Sequence, residues 1–440
     1  MKDKKLMHAA YNLSRAIRIK TVSNSDISKT DKDEFSAFEA FLAEAYPRFH
    51  KELKKTVINK HGLLYFWKGS GDSLPVLITA HYDVVPADDK NWPYPPFSGE
   101  IADGKIYGRG ALDDKGSLIS IIEAAEELLC EGFAPKRDIY FAFGFDEEIG
   151  GDNGAVKIAE YLKKQNIKFE YVLDEGGAVA DGSMMGIEKP IAVIGIAEKG
   201  NSSFRLTFAG EEGHSSAPGK NTAIAKMAKF ITYTEEKPPK TRLTPTVTAM
   251  LKAIAPYKKG ISAKVLSRPE MFEPLIVRIM QKSKQTAAML KTSIAFTMTD
   301  AGHAHNVLPK SASLTANVRI LQGESVSSVI KYFRASKIDF DLDIITKSEP
   351  TSPSDLDSAG MGHVKACVMK VFPDAVISPY LMTGGTDCRH YQAVAKNTYR
   401  FSPMRLKERE LSLVHGSGEY LSLDNLEKMI RFYTMFIRGL

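Results

Sequence analysis

The chain has little cysteine and no long apolar run. Three of its 440 residues are cysteine (Cys130, Cys367 and Cys388), and no two form a CxxC pair. An odd, sparse set argues against a disulfide framework and against a zinc site made of cysteines. The N-terminus has no apolar core of signal-peptide length, and no run reaches transmembrane length. These absences predict a cytoplasmic protein that meets no membrane.

Concentrated charge of one sign is also missing at the level of the whole chain. The 59 Lys and Arg residues against 53 Asp and Glu give a formal net charge of +6. A nucleic-acid-binding protein needs a basic stripe, so we expect no nucleic-acid partner. A hydrophobic fraction of 43% is typical of a globular enzyme, and 440 residues exceed what one hydrophobic core usually holds. We therefore expect two domains.

In the first part of the chain, apolar strands alternate with helices. Strands are predicted at Leu74–Ala80, Asp138–Phe145 and Tyr171–Leu173, with helices after the first two. Such alternation predicts an α/β domain with a mostly parallel sheet flanked by helices.

The middle of the chain has a different order, β-α-β-β-α-β, which is the ferredoxin-like α+β pattern. We expect a catalytic domain over residues 1–198 and 350–440, interrupted by an inserted domain over residues 199–349. Residues 237–291 form a further, proline-containing insertion within it. The segments Gly195–Gly200 and Glu349–Pro353 are predicted hinges.

Carboxylate and histidine clusters follow the predicted strands where each strand ends. Ligands bind at the carboxyl ends of strands in open α/β sheets, so four such clusters together favour a functional site. Taken singly, each also has a structural explanation, such as a strand-end histidine, a helix cap or a solvated loop. The clusters are His81 with Asp83, Asp113-Asp114, Asp146-Glu147-Glu148 and Asp174-Glu175, and His415 precedes the last predicted helix.

Eight stretches make the sequence similar to a known family. It resembles the co-catalytic zinc peptidases that include carboxypeptidase S, aminoacylase, acetylornithine deacetylase and succinyl-diaminopimelate desuccinylase, and most closely the carboxypeptidase S branch. The stretches are TAHYDVVP (Thr79–Pro86), GRGALDDKG (Gly108–Gly116), FDEEIGG (Phe145–Gly151), LDEGG (Leu173–Gly177), EGHSSAP (Glu212–Pro218), NVLP (Asn306–Pro309), GGTDCRHY (Gly384–Tyr391) and VHGSGE (Val414–Glu419).

The resemblance implies a site for two zinc ions, for which cobalt or manganese can substitute. His81 and either Asp174 or Glu175 would hold one ion, and Glu148 and His415 the other. Asp113 would bridge both, and its peptide bond to Asp114 would be cis. Glu147 would carry the proton from the attacking water to the leaving amine, while Asp83 orients His81.

The same resemblance assigns the inserted domain as a lid that supports dimerisation. His214 would polarise the scissile carbonyl, and Asn306 and Arg319 would contact substrate. Gly384, Gly385 and Arg389 would line the carboxylate side of the pocket, with the Arg389 guanidinium binding a terminal carboxylate.

These residues predict an enzyme that cuts the amide bond of short peptides next to a free carboxylate. Two alternatives stay open from the sequence. One is an N-acyl-amino-acid amidohydrolase, because its substrates present the same amide and carboxylate. The other is a catalytically inactive binding protein on the same fold, which predicts a missing metal ligand or a replaced Glu147.

Overall fold

The computed structural model describes residues 2–24, 26–88 and 90–440. The chain forms two compact units. The first comprises Met1–Ile196, Ser354–Tyr380 and Thr386–Leu440, and the second comprises Ala197–Pro353 and Leu381–Gly385. Among the described residues, the helices are all too short or too polar to cross a membrane.

The first unit is built on a ten-stranded mixed sheet in the order β1-β2-β6-β3-β7-β17-β9-β8-β18, with β16 paired to β9. The unit also contains a small three-stranded sheet in the order β19-β5-β4. Strands β9 and β16 each continue two residues past the limits of the unit. Numbered along the whole chain, the strands are β1 (Lys54–Ile58), β2 (Gly62–Trp67), β3 (Val76–His81), β4 (Glu100–Ala102), β5 (Lys105–Tyr107), β6 (Ile139–Gly144), β7 (Phe169–Asp174), β8 (Val179–Ala180), β9 (Ile191–Glu198), β16 (Val376–Met382), β17 (Ala395–Arg400), β18 (Arg405–Leu406) and β19 (Tyr420–Ser422).

The centre of this sheet is parallel and its margins are mainly antiparallel. Strands β6, β3, β7 and β17 run side by side in one direction. All six residues of β3 are buried, which explains why its sequence is apolar without alternation. The predicted α/β domain with a mostly parallel sheet is confirmed in this central part.

Helices cover the sheet of the first unit. They are α1 (Lys2–Arg18), α2 (Lys32–Ala45), α3 (Pro47–Glu52), α4 (Lys115–Cys130), α5 (Ala155–Lys164), α12 (Ala359–Val371), α13 (Cys388–Tyr391), α14 (Glu408–Leu411) and α15 (Leu423–Arg438). Helix α4 is buried over its first eight residues, with α1 and α15 packed against it. The helical spacing of apolar residues over Phe35–Phe49 is divided between two helices, because Pro47 has no N–H to continue the first and instead begins the second.

The second unit has a four-stranded antiparallel sheet in the order β12-β14-β10-β15 and a two-stranded sheet of β11 and β13. Its main strands and helices follow the predicted β-α-β-β-α-β order, with four extra α-helices between α6 and α11. The elements are β10 (Gly200–Ala209), β11 (Gly213–His214), β12 (Ser293–Ala301), β13 (Val307–Leu308), β14 (Ser311–Ile320), β15 (Asp341–Thr346), α6 (Ala223–Glu236), α7 (Pro245–Ile254), α8 (Gly260–Ser267), α9 (Glu273–Met280), α10 (Lys284–Ala288) and α11 (Val326–Arg334).

The segment predicted as the first hinge, Gly195–Gly200, is extended strand. Strand β9 ends at Glu198, and β10 begins two residues later. The glycines at its ends indicated a hinge. Strand pairing decides the conformation instead, since Gly195 lies opposite Arg400 and Gly200 lies opposite Ile320.

Candidate metal centre

The parallel strands bring the predicted clusters to one edge of the first unit's sheet. His81 is the last residue of β3 and lies level with Gly144, the last residue of β6. Asp174 ends β7, and Glu147 and Glu148 follow β6 in a short 3-10 turn. Because the carboxyl ends of parallel strands meet at the same edge, residues far apart in sequence become neighbours.

Asp83 orients the imidazole of His81. The Nδ1 atom of His81 lies 3.0 Å from the backbone carbonyl oxygen of Asp83 and 3.3 Å from its carboxylate. Both groups only accept hydrogen bonds, so Nδ1 carries the hydrogen and the lone pair of Nε2 is left for a ligand. The Asp83 carboxylate also accepts the backbone N–H groups of Glu147 and Glu148, each at 3.1 Å. The buried residue Asp83 thus holds both the His81 ring and the turn that carries Glu147 and Glu148.

Asp113 lies between two histidines. Its Oδ1 is 3.0 Å from Nε2 of His81, and its Oδ2 is 2.9 Å from Nε2 of His415. The same nitrogen of His415 is 3.1 Å from the Glu148 carboxylate. The peptide bond between Asp113 and Asp114 is cis, as the resemblance implies. This carboxylate is therefore placed to share two metal ions.

Two groups of possible metal ligands share Asp113. One consists of His81, Asp113 and Glu175, and the other of Asp113, Glu148 and His415. Within residues 2–24, 26–88 and 90–440, no further set of three His, Cys, Asp or Glu residues is as close. Glu148 Oε1 is buried and has no hydrogen-bond donor among the described residues. Nitrogen and carboxylate oxygen donors in groups of three suit a catalytic zinc site with an open position.

Asp174, one of the two acids predicted as a ligand, lies outside both groups. Its carboxylate accepts the backbone N–H of Cys388 at 2.7 Å and that of Glu175 at 2.9 Å. Its side chain is therefore directed toward the start of α13, which begins at Cys388. The alternative that places Asp174 among the ligands is therefore not supported by the side-chain positions.

The electrostatics of the site favour cations. Burial raises the pKa of Glu175 and of Glu148, because their charged forms lose contact with water. Burial acts on Asp113 as well, but the adjacent imidazoles of His415 and His81 hold the pKa of Asp113 below its usual range. Hydrogen bonds to Asp113 and Glu148 raise the pKa of His415 to about 10. Several buried carboxylates this close together need positive charge to offset them.

Glu147 stands beside the ligands without joining either group. Burial raises the pKa of Glu147 to about 8. Its Oε1 lies 3.3 Å from Nη2 of Arg389, and both side chains are largely buried. Sequence reasoning assigned Arg389 to the substrate carboxylate. In the structure its guanidinium contacts the acid expected to carry the proton.

The predicted lid residues lie in the second unit. His214 and Asn306 are both exposed and meet on the β11–β13 ladder, where the N–H of Ser215 donates to the carbonyl oxygen of Asn306. Arg319 is half-buried on β14, opposite Asn201. Gly384 and Gly385 lie in the short return of the chain through this unit. No single cluster within the second unit unites all of these residues.

Sequence reasoning missed the buried pair of Arg109 and Glu419. Their side chains lie 2.6 Å apart, and Arg109 also donates to the backbone carbonyl oxygen of His415 at 3.1 Å. Glu419 accepts the N–H groups of Leu112 and Asp113 at 2.7 and 3.3 Å. The pair therefore ties the segment of Asp113 to the segment of His415. A charged residue inside each matched stretch, GRGALDDKG and VHGSGE, was the available signal.

Asp387 is a second buried acid to which the sequence gave no role. Both carboxylate oxygens are buried and accept no hydrogen bond from the described residues. The side chain packs against Gly144 and Gly151, where any larger residue would collide with it. Burial, and then the charge of Glu147, raise the pKa of Asp387. Gly144 at the end of β6 and Gly151 in the FDEEIGG stretch thus make room for a carboxyl group.

The glycines of GRGALDDKG permit close packing. A Cβ on Gly108 would collide with Ile17 of α1, and one on Gly110 would lie 2.8 Å from Val84. Both glycines have positive φ, 150° and 89°, which other residues rarely adopt. These positions hold the Asp113 segment against α1 and the end of β3.

The sequence also matches known proteins over most of its length. The model of Peptidase family M20/M25/M40 matches residues 77–439, most of the chain. A probable carboxypeptidase S-like protein 2 of Dictyostelium discoideum is 37% identical over 98% of this chain and 84% of its own length. The N-fatty-acyl-amino acid synthase/hydrolase PM20D1 of Mus musculus is 34% identical over 97% of this chain and 86% of its own length.

Among solved structures, an M20 family metallo-carboxypeptidase, Sso-CP2 from Sulfolobus solfataricus, has a similar fold. Its TM-score is 0.73, the alignment covers 98% of each chain, and the sequence identity is 16%. At this identity the likeness establishes the architecture alone.

Proposed function

The chain belongs to Peptidase family M20/M25/M40, and from this membership we propose that it is a two-zinc hydrolase that cuts short peptides next to a free carboxylate. The observation that carries the proposal is the position of Asp113, whose two carboxylate oxygens face His81 and His415. A carboxylate shared in this way suits two ions held side by side.

His81, Asp113 and Glu175 would hold one zinc ion, and Asp113, Glu148 and His415 the other. Bound zinc would supply Lewis acidity, which makes water acidic enough to react near pH 7 and polarises the scissile carbonyl. Cobalt or manganese would fit the same nitrogen and oxygen donors.

Glu147 would move the proton. Its carboxylate takes a proton from the attacking water and gives it to the nitrogen of the leaving amine, so that the amide C–N bond breaks. An acid whose pKa is raised by burial can do both near neutral pH. Arg389, 3.3 Å away, would hold Glu147 in position. Whether Arg389 also binds the substrate carboxylate stays a prediction.

His214 would donate a hydrogen bond to the carbonyl oxygen of the substrate. Its Nδ1 accepts the backbone N–H of Ser216 at 3.1 Å, so in the neutral ring Nε2 carries the hydrogen. Its role and those of Asn306 and Arg319, like dimerisation through the second unit, stay predictions.

The proposal is tested with zinc-loaded protein and two matched sets of dipeptides, one with a free C-terminal carboxylate and one amidated. We expect preferential cleavage of the free acids. Glu147→Gln should lower kcat by about 10³-fold or more while the zinc content stays unchanged, whereas Glu160→Gln, an exposed residue of α5, should match the parent. Equal cleavage of amidated substrates, or full activity of Glu147→Gln, would refute the proposal.

A second candidate is hydrolysis of N-acyl amino acids. It is favoured by the 34% identity to the N-fatty-acyl-amino acid synthase/hydrolase over 97% of this chain. A panel of N-acyl amino acids with short and long chains separates the two, since higher kcat/KM on that panel would favour this candidate. The alternative of an inactive binding protein predicts a missing metal ligand. Both groups of possible ligands instead contain three residues each.

A further inference from the structure

The helical segment 237–291 of the second unit concentrates the positive charge of the chain. It contains twelve Lys and Arg residues and two Glu, a net charge of +10. The other 385 residues contain 47 basic and 51 acidic residues, a net charge of −4. The even scatter of charge inferred from the whole chain is therefore wrong for this segment.

Helix α9, within this segment, is apolar on two sides. Ile276 and Met280 are buried, whereas Leu275 and Ile279 are 47% and 54% exposed. Met271, in the turn just before the helix, is 66% exposed. One apolar side therefore packs inside the unit, and the other faces outward.

Cations share the outward side of α9. Leu275, Arg278 and Ile279 follow i, i+3, i+4 spacing, which places them on one side of the helix, and Lys282 continues this spacing in the turn two residues after the helix ends. We call these four residues the α9 outer face. Arg278 and Lys282 are exposed and lie in no ion pair within the described part of the chain.

The two acids of the segment are engaged elsewhere. Glu270 pairs with Lys252 at 2.6 Å, and Glu273 accepts the N–H of Leu243 at 2.8 Å. The positive charge of the outer face is therefore not neutralised by its own segment.

We propose that the α9 outer face docks on an anionic lipid bilayer. Leu275 and Ile279 enter the boundary between headgroups and acyl chains, while Arg278 and Lys282 pair with lipid phosphates. The sequence expectation of no membrane contact rested on the lack of long apolar runs, which bears on spanning a bilayer and not on lying at its surface. The proposal is independent of the catalytic one.

The chemistry of the face favours a bilayer over two other occupants. Nucleic acids recruit aromatic rings beside cations, and the outer face offers aliphatic side chains instead. A second copy of the chain would bring two segments of net charge +10 together, which repel each other.

The test is co-sedimentation of the full chain with vesicles of phosphatidylcholine, either pure or with about 30% phosphatidylglycerol. We expect binding to the anionic vesicles at about 0.05 M salt, little binding to the neutral ones, and release at about 0.5 M salt, where charges are screened.

Two pairs of variants separate the apolar and charged contributions. Leu275→Ser with Ile279→Ser, and Arg278→Glu with Lys282→Glu, should each weaken vesicle binding about thirtyfold or more. Ile344→Ser with Ile345→Ser, at 43% and 46% exposure on β15, and Lys163→Glu with Lys164→Glu on α5 serve as matched controls and should bind as the parent does. All eight side chains are exposed, and an unchanged Tm checks that each variant folds.

Three results would overturn the proposal. The first is equal binding to neutral and anionic vesicles, or none to either. The second is self-association without lipid that Leu275→Ser with Ile279→Ser abolishes, which would make the face an interface between copies. The third is binding of duplex DNA, but not vesicles, that depends on Arg278 and Lys282.

Discussion

Two histidines, one in each unit, show how neighbours decide the chemistry of one residue type. His81 in the first unit is buried, and the oxygens of Asp83 accept from its Nδ1. His214 in the second unit is exposed, and its Nδ1 accepts the N–H of Ser216. The neutral rings therefore carry their hydrogen on opposite nitrogens. Nε2 therefore has a lone pair in His81, whereas in His214 it is a hydrogen-bond donor.

The difference extends to the surroundings of each site. In the first unit, buried carboxylates and imidazoles contact one another, and backbone N–H groups hold Asp83 and Glu419. In the second unit, His214 and Asn306 stand on a two-stranded ladder with their side chains exposed. The buried residues of the first site are held by many side-chain contacts, whereas the His214 ring is held by the neighbouring Ser216.

The largest expected effect comes from replacing Glu175, and a substitution of the adjacent Asp174, which has different neighbours, serves as the comparison. Glu175→Gln should remove one metal and lower kcat by about 10³-fold or more, because even the loss of a partner that orients a ligand costs 10–100-fold. Asp174→Asn should keep both metals and instead lower the free energy of unfolding, since Asp174 holds the N–H of Cys388. Metal content by mass spectrometry of the native protein decides between them. Loss of metal in Asp174→Asn alone would reverse the assignment.

Glu419→Gln tests whether the buried pair holds the metal centre together. Removing its charge leaves Arg109 buried without its partner, which should cost about 3–5 kcal/mol of unfolding free energy. Glu131→Gln, which breaks an exposed contact with Arg438, should cost no more than about 1 kcal/mol. Urea unfolding measures both. Similar losses in the two variants would show that burial of the pair does not matter.

His214→Gln tests the exposed member of the histidine pair. We expect kcat to fall about 10²-fold, because a donor to the developing oxyanion is lost. The free energy of unfolding should change by less than about 0.5 kcal/mol, since the side chain is exposed. Zinc content should not change. A loss of zinc would instead place His214 with His81 as a ligand.

A third histidine gives the smallest expected effect. Burial lowers the pKa of His363 from 6.5 to about 4, and its Nδ1 shares a hydrogen bond with the hydroxyl of Tyr171 at 2.6 Å. The unfolded chain then binds more protons between these values, so stability is full above pH 6.5 and falls as the pH drops toward 4.

The expected loss is about 1–2 kcal/mol, after allowance for the partial exposure of the ring. Urea unfolding from pH 7 to pH 4 should show a shallower pH dependence in His363→Gln than in the parent. Identical slopes would contradict the prediction.

The amino-acid sequence alone determined the architecture of the two units and which strand-end residues lie near one another. Apolar strands alternating with helices predicted the parallel core of the first unit, and the β-α-β-β-α-β order predicted the second. Strand-end positions predicted that His81, the Asp146–Glu148 cluster and Asp174-Glu175 would meet, because parallel strands share their carboxyl edge. These inferences succeed because they depend on periodicity and chain direction, which are local.

Only the tertiary structure decided the direction of each side chain. It directs Glu175, and not Asp174, toward His81 and Asp113. It pairs Arg389 with Glu147 and joins Arg109 to Glu419, 310 residues away. It also leaves one side of α9 uncovered. Adjacent acids have nearly the same local pattern, so which one turns toward His81 and Asp113 depends on packing between distant segments that no local pattern records.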